Sequence, residues 1–124
     1  MKKHTCRTYF AIYGAKDAAA LLSELGLGLD NAQVRCNDSI MIGFNDTYNV
    51  DINEMFRVTL QSLFEKAALL AQLKDKYSLE YYLVGVPEIV SESDDPHQIL
   101  GVNEEIVVFL YQSKTKLDLD YYVY

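Results

Sequence analysis

The last eight residues, Leu117-Asp118-Leu119-Asp120-Tyr121-Tyr122-Val123-Tyr124, alternate in character at every second position. Side chains of an extended chain point to opposite faces in turn. Leu117, Leu119, Tyr121 and Val123 therefore fall on one side, and Asp118, Asp120, Tyr122 and Tyr124 on the other. The pattern predicts a half-buried strand that ends the fold, with carboxylates and phenols on its outward side. Residues 6–13 behave alike: Thr8, Phe10 and Ile12 share one face, and Arg7, Tyr9, Ala11 and Tyr13 the other. Alternation on one side only points to an antiparallel or mixed sheet with one face open.

Helical patterns separate these strands. Lys16 to Leu25 is rich in strong helix formers, with Ala18, Leu21, Leu22 and Leu25 on one face and Gly26 suited to the left-handed position after a helix end. A β region over 32–44 carries a turn at Asn37-Asp38, after which Ile40, Ile42 and Phe44 alternate with Met41 and Gly43. Asp51 and Glu54 have the spacing of a capping box. Phe56, Leu60, Leu63, Phe64, Leu69, Leu70 and Leu73 follow at helical spacing, as one long helix or as two with a bend near Lys66. A strand over 78–86 sets Tyr81 and Leu83 opposite Glu80, Tyr82 and Val84, and Pro87 is expected to end it. Residues 87–102 read as an irregular surface loop, polar and acidic around Ser91 to Pro96. Asn103, with Glu104 and Glu105 in the first turn, then favours a helix over 104–111, although Val107-Val108 also permits a strand.

The resulting order is β-α-β(β)-α-β-α-β. It predicts an α+β, two-layer sandwich: one mixed or antiparallel sheet of four to five strands, with helices packed on one face. At 124 residues the chain suits one domain over 1–124. The open face would gather Arg7, Tyr9, Tyr13, Glu80, Tyr82, Asp118, Asp120, Tyr122 and Tyr124.

Two of these segments carry a family resemblance. Tyr9-Phe10-Ala11-Ile12-Tyr13-Gly14 with Glu24-Leu25-Gly26-Leu27, and the Ser113-Lys114-Thr115-Lys116-Leu117-Asp118-Leu119-Asp120-Tyr121 tail, resemble the two ends of an uncharacterised bacterial family, domain of unknown function 4279. The chain departs from that family in lacking a Trp in the central β region, where Phe44 or Tyr48 stands in. The resemblance implies a compact bacterial α/β domain, singles out Asp118, Asp120 and Tyr121, and implies no activity.

Charge and motif content narrow the function classes. The net charge of −7 disfavours nucleic acid and anionic membrane surfaces, whose phosphates call for clustered Lys and Arg. No apolar run approaches the roughly 20 residues that span a bilayer, and Met1-Lys2-Lys3 is not followed by an apolar signal core. A cytoplasmic location is expected, with Cys6 and Cys36 as free thiols. No nucleophile elbow, zinc helix, Walker loop or dinucleotide glycine pattern occurs. A Ser or Cys nucleophile would need a base, and the two histidines, His4 and His97, sit in segments that read as flexible. No catalytic residue, metal site or cofactor is therefore expected. Asp118-x-Asp120 could hold a divalent cation or share a proton, but strand alternation alone yields that spacing, and Arg7 could pair with these carboxylates across the sheet. Asp94-Asp95-Pro96-His97 has metal-ligand chemistry without a second ligand cluster.

The best-supported expectation is a non-catalytic protein–protein interaction module whose partner-binding residues are Arg7, Tyr9, Tyr13, Tyr82, Asp118, Asp120, Tyr122 and Tyr124. The partner would be a second copy in a homodimer or a heterologous protein, and an immunity- or inhibitor-type role against a basic protein is one form of the latter. The alternative is a ligand- or metal-binding domain, or an enzyme, using the Asp118/Asp120 face.

Overall fold

The computed structural model describes residues 3–28, 30–35 and 38–124. Strand β1 (Thr5–Tyr13) leads into helix α1 (Ala18–Leu25), then strands β2 (Ala32–Arg35) and β3 (Ser39–Asn45). Helices α2 (Ile52–Leu60) and α3 (Ala67–Tyr77) follow, separated by a short 3₁₀ turn at Phe64–Lys66. The chain ends with strand β4 (Glu80–Ile89), helix α4 (Glu104–Ser113) and strands β5 (Lys116–Leu119) and β6 (Tyr122–Val123). Cys36 and Asn37, expected as a free thiol and as part of a turn, lie outside the described residues.

The sheet is mixed and runs β2-β3-β1-β4-β5, with β6 also beside β4. Pairs within β2-β3-β1-β4 are antiparallel, whereas β5 and β6 lie parallel to β4. A parallel return needs a crossover, and the connection that carries α4 supplies it. All four helices pack on one sheet face. Leu21, Leu22 and Leu25 of α1, Met55, Phe56 and Leu60 of α2, Leu70 and Leu73 of α3, and Ile106 and Phe109 of α4 bury against Phe10, Ile12, Ile40, Ile42, Tyr81 and Leu83. This is the two-layer α+β arrangement that the alternation predicts.

The helix boundaries follow local chemistry. Asp17 accepts from the Ala20 N–H (3.0 Å), and Asn103 accepts from the Ile106 N–H (3.1 Å), as N-caps do. Gly26 takes φ +70° and closes α1. Asp51 caps α2 through the Asn53 N–H (3.0 Å). Glu54 does not complete a capping box. The Asp51 N–H that it would accept is already taken by Asn49 Oδ1 (2.8 Å), and Glu54 pairs with Arg57 instead.

Several expectations are corrected. Pro87 does not end β4, which runs on to Ile89. On the β5/β6 side, the paired positions are Gly85 with Leu119 and Glu88 with Tyr122, so Pro87 falls in the gap between the two short strands, where a missing ladder donor is tolerated. The C-terminal segment is not one half-buried strand. It breaks at Asp120-Tyr121, and only Leu119 packs against the main core, because the sheet's outer edge has little helix above it.

Phe44 does not continue the Ile40/Ile42 face. Thr8 pairs with Asn45 and Phe10 with Ile42, so Gly43 and Phe44 together oppose Tyr9 in a β-bulge. Gly43 has φ +68°, and its Cα lies under the backbone of Thr59 in α2. The bulge turns Phe44 to the face away from the helices. Close by, the hydroxyls of Thr8 and Thr59 share a hydrogen bond of 2.7 Å in the core.

The segment after β4 is irregular, and Ser91 to Pro96 lies at the surface as expected, but its later part is tied to the start of α2. Ile99 bridges to Asp51 and exchanges backbone hydrogen bonds with Val50 (2.6 Å) and Ile52 (3.1 Å). The buried Asn53 donates to Asp51 Oδ1 (3.0 Å) and to the Gly101 carbonyl (2.7 Å), and accepts from the Asn103 N–H (2.9 Å). His4 is not mobile either. It is buried; Nδ1 accepts from the Val90 N–H (2.9 Å), so the ring proton sits on Nε2 and donates to the Asp95 carbonyl (3.1 Å).

Candidate functional site

The face of the sheet away from the helices gathers most of the residues that the alternation singles out. At its centre Ala11, Val84 and Val86 form a second, small apolar cluster, and the rings of Tyr9 and Tyr82 lie partly buried against it. Strand register explains the grouping: Ala11 pairs with Tyr82 and with Met41, Tyr9 with Val84, and Tyr13 with Glu80 and with Ser39. Tyr13 meets Tyr82 edge to face with centroids 5.7 Å apart, a favourable aromatic geometry. Lys116 Nζ sits 5.8 Å from the centre of the Tyr82 ring.

Charges ring this centre. Arg7 faces Glu88 at 3.7 Å, and Thr5 donates to the same carboxylate at 3.2 Å. Lys116 faces Glu80 at 3.9 Å. All four charged side chains are solvent-exposed, so these pairs orient the rim more than they stabilise the fold. Arg7 does not reach Asp118 or Asp120 as a cross-sheet partner. Register places Arg7 beside Val86, with Glu88 next along the same strand, while Asp118 lies a strand further out beside Val84. Partial burial, the Tyr13 hydroxyl and the Asp118 carboxylate hold the Tyr9 phenol above its ordinary pKa, against the opposing pull of Arg7 and Arg35, so it remains a neutral donor.

Beside Tyr9 the surface dips into a shallow depression of about 200 Å³, walled by Arg7, Tyr13, Arg35, Met41 and Phe44 among others. Phe44, Tyr13 and Tyr122 are 49%, 45% and 48% exposed, far more than aromatic side chains in a core. Tyr122 pairs in register with Glu88 at the far end of the face. Tyr124 borders a cleft of about 380 Å³ with Thr5 and Glu88, and its carbonyl accepts from the Ser91 N–H at 2.7 Å.

Asp118 and Asp120 do not form a paired site on one strand. Asp118 belongs to β5, whereas Asp120 lies beyond its end, with its backbone N–H donated to the Gly85 carbonyl (2.9 Å). Asp95 offers His4 its carbonyl oxygen, and His97 stands edge-on to the His4 ring at 5.4 Å. Among the described residues no group of three or more His, Cys, Asp or Glu side chains is placed to hold a metal ion. Cys6 is buried, and burial pushes its thiol pKa up, away from nucleophile character.

Phe44 belongs to this face, yet alternation read as continuous puts it on the core side with Ile40 and Ile42. The one available signal is Gly43, since an isolated glycine inside a strand pattern marks a bulge. Among the described residues no helix is long and apolar enough to cross a membrane. No family model, curated protein or solved structure matches the chain.

Proposed function

We propose that this protein is a binding module that docks another protein on the open face of its sheet. The observation that carries the reading is the build of that face. Half-buried Tyr9 and Tyr82 sit on an apolar cluster, exposed Tyr13, Phe44 and Tyr122 lie around them, and a rim of mixed charge encloses the group. An aromatic centre with a polar rim is the composition of protein interfaces, and Tyr and Arg lead among residues that dominate binding energy. The rim bears arginines as well as carboxylates, which suits a partner of mixed charge better than a uniformly basic one. The resemblance to domain of unknown function 4279 implies no activity and leaves this reading as it stands.

Site-specific photo-crosslinking tests it. A crosslinking amino acid placed at 13 or 44 in cells should give adducts of one defined mass, identified by mass spectrometry. The same group at 107 or 111, exposed on α4, should not. Equal adducts at all four positions, or none at 13 and 44, would sink the docking reading.

A further inference from the structure

We infer that the open face pairs with a second copy of itself about a two-fold axis running along β1; this rests on the docking reading above and names the partner. The register sorts the face into rows that cross the strands. One row runs Gln33, Met41, Ala11, Tyr82, Lys116. The next runs Arg35, Ser39, Tyr13, Glu80. Rotating a copy by a half turn about an axis parallel to β1 keeps every row in place and exchanges its two ends, which is the self-complementary contact of a two-fold dimer.

That exchange matches unlike groups. Met41 of one copy comes over Tyr82 of the other, a thioether against an aromatic ring. Gln33 comes over Lys116, with an amide oxygen to accept from the ammonium. Phe44, turned outward by the bulge opposite Tyr9, comes over Val84. The charges exchange in the same sense. Strands β2 and β3 contain no acidic residue and bring Arg35, which pairs with no carboxylate among the described residues and donates only to Met41 Sδ at 3.8 Å. Strands β4 and β5 bring Glu80, Glu88 and Asp118 against the single Lys116. Ser39 of each copy therefore comes over Glu80 of the other, and Arg35 comes over the position one strand outside that Glu80, about 4.8 Å away, from which its long side chain reaches the carboxylate. Arg7 lies on the axis and faces Arg7 of the other copy, each keeping its own Glu88 at 3.7 Å to offset the like charges.

The area is sufficient. Strands of nine, four, seven, ten, four and two residues make up the sheet. At about 3.3 Å per residue and about 4.8 Å between strands they cover roughly 570 Å² of plane. Side-chain relief raises this further, so two copies bury on the order of 1,200 Å² or more, within the range of specific interfaces. Strands that stay nearly aligned across the interface are the usual way for two sheets to stack.

A charge-swap experiment on the full chain tests the pairing. Sedimentation mass is followed over about 1 μM to 1 mM for the wild type, Arg35→Glu, Glu80→Lys and an equal mixture of the two variants. The wild type should rise from 14.1 kDa towards about twice that mass. Each variant alone should need at least about tenfold higher concentration to associate. The mixture should regain the wild-type curve. In a heterodimer of the two variants, the carboxylate introduced at position 35 of one copy meets the ammonium introduced at position 80 of the other. The unaltered Arg35 and Glu80 meet on the opposite side of the axis, so both contacts are satisfied. A wild type that stays monomeric, or a mixture no heavier than its components, overturns the self-pairing and leaves the docking face to the crosslinks at 13 and 44. A dimer indifferent to both changes, with no crosslinks at those positions, overturns the pairing and the docking face together.

Discussion

Replacing Gly43 by alanine attacks the residue on which the bulge and the helix layer both depend. At φ +68° an alanine backbone is strained by about 1–2 kcal/mol. Its added Cβ would lie 2.8 Å from the carbonyl carbon and 2.9 Å from the Cα of Thr59, and closer still to the Thr59 oxygen. Those are backbone atoms of α2, so no side-chain rotation relieves the contact. Either the helix shifts off the sheet or the bulge distorts, and such overpacking costs about 1–3 kcal/mol. The sum, about 2–5 kcal/mol, is a large part of the roughly 5–15 kcal/mol that holds a domain together. With an unfolding entropy near 2.1 cal/mol/K per residue, each kcal/mol over 124 residues lowers Tm by about 4 °C, so a fall of about 8–20 °C is expected. Urea denaturation and calorimetry measure it. Gly101→Ala, where a Cβ meets nothing within 4 Å, is the matched control and should stay within about 0.5 kcal/mol. Gly43→Asn separates the two contributions, because Asn tolerates the left-handed backbone but carries the same Cβ; it should recover about 1 kcal/mol at most. A Gly43→Ala protein within about 1 kcal/mol of wild type would refute the close packing of α2 on the bulge.

Two further outcomes follow from the buried polar contacts. Asn53→Ala removes three hydrogen bonds and strands the Gly101 carbonyl and the Asn103 N–H, so it should lose about 2–4 kcal/mol in urea titrations, with faster amide exchange at Asn103; unchanged exchange there would refute the tethering of this segment. Tyr81 is fully buried and donates to the Leu70 carbonyl at 2.7 Å, and desolvation, with Asp75 adding to it, holds its phenol far above the ordinary value near 10. A raised folded pKa means that the stability contribution is complete below the unfolded pKa and is lost as pH climbs above it. Stability should therefore fall above about pH 10, and less steeply in Tyr81→Phe than in wild type when free energies are compared at successive pH values; parallel slopes would count against the burial of that hydroxyl.

The layer order was legible in the sequence because it rests on short-range periodicity. Thr8, Phe10 and Ile12 alternate with Arg7, Tyr9, Ala11 and Tyr13, and that alone assigns core side and open side in β1. Asp51, Asn103 and Gly26 mark helix ends through hydrogen bonds that close within four residues. The membership of the open face was legible to the same extent: Tyr9, Tyr82 and Asp118 lie where alternation puts them. What alternation cannot contain is a change of register, and a single inserted residue moves every later side chain to the opposite face. Phe44 is the case in point. Whether Gly43 opens a bulge is decided by Thr59, sixteen positions along the chain, pressing its backbone onto a residue without a Cβ. Tertiary contacts likewise decided that His4 is buried, that Pro87 sits inside a strand and that Arg7 meets Glu88. Each depends on a partner dozens of residues away, brought close by the sheet and not by the local chain. Local periodicity determined which side chains face the helices; only the tertiary structure, through long-range register, decided which outward side chains become neighbours.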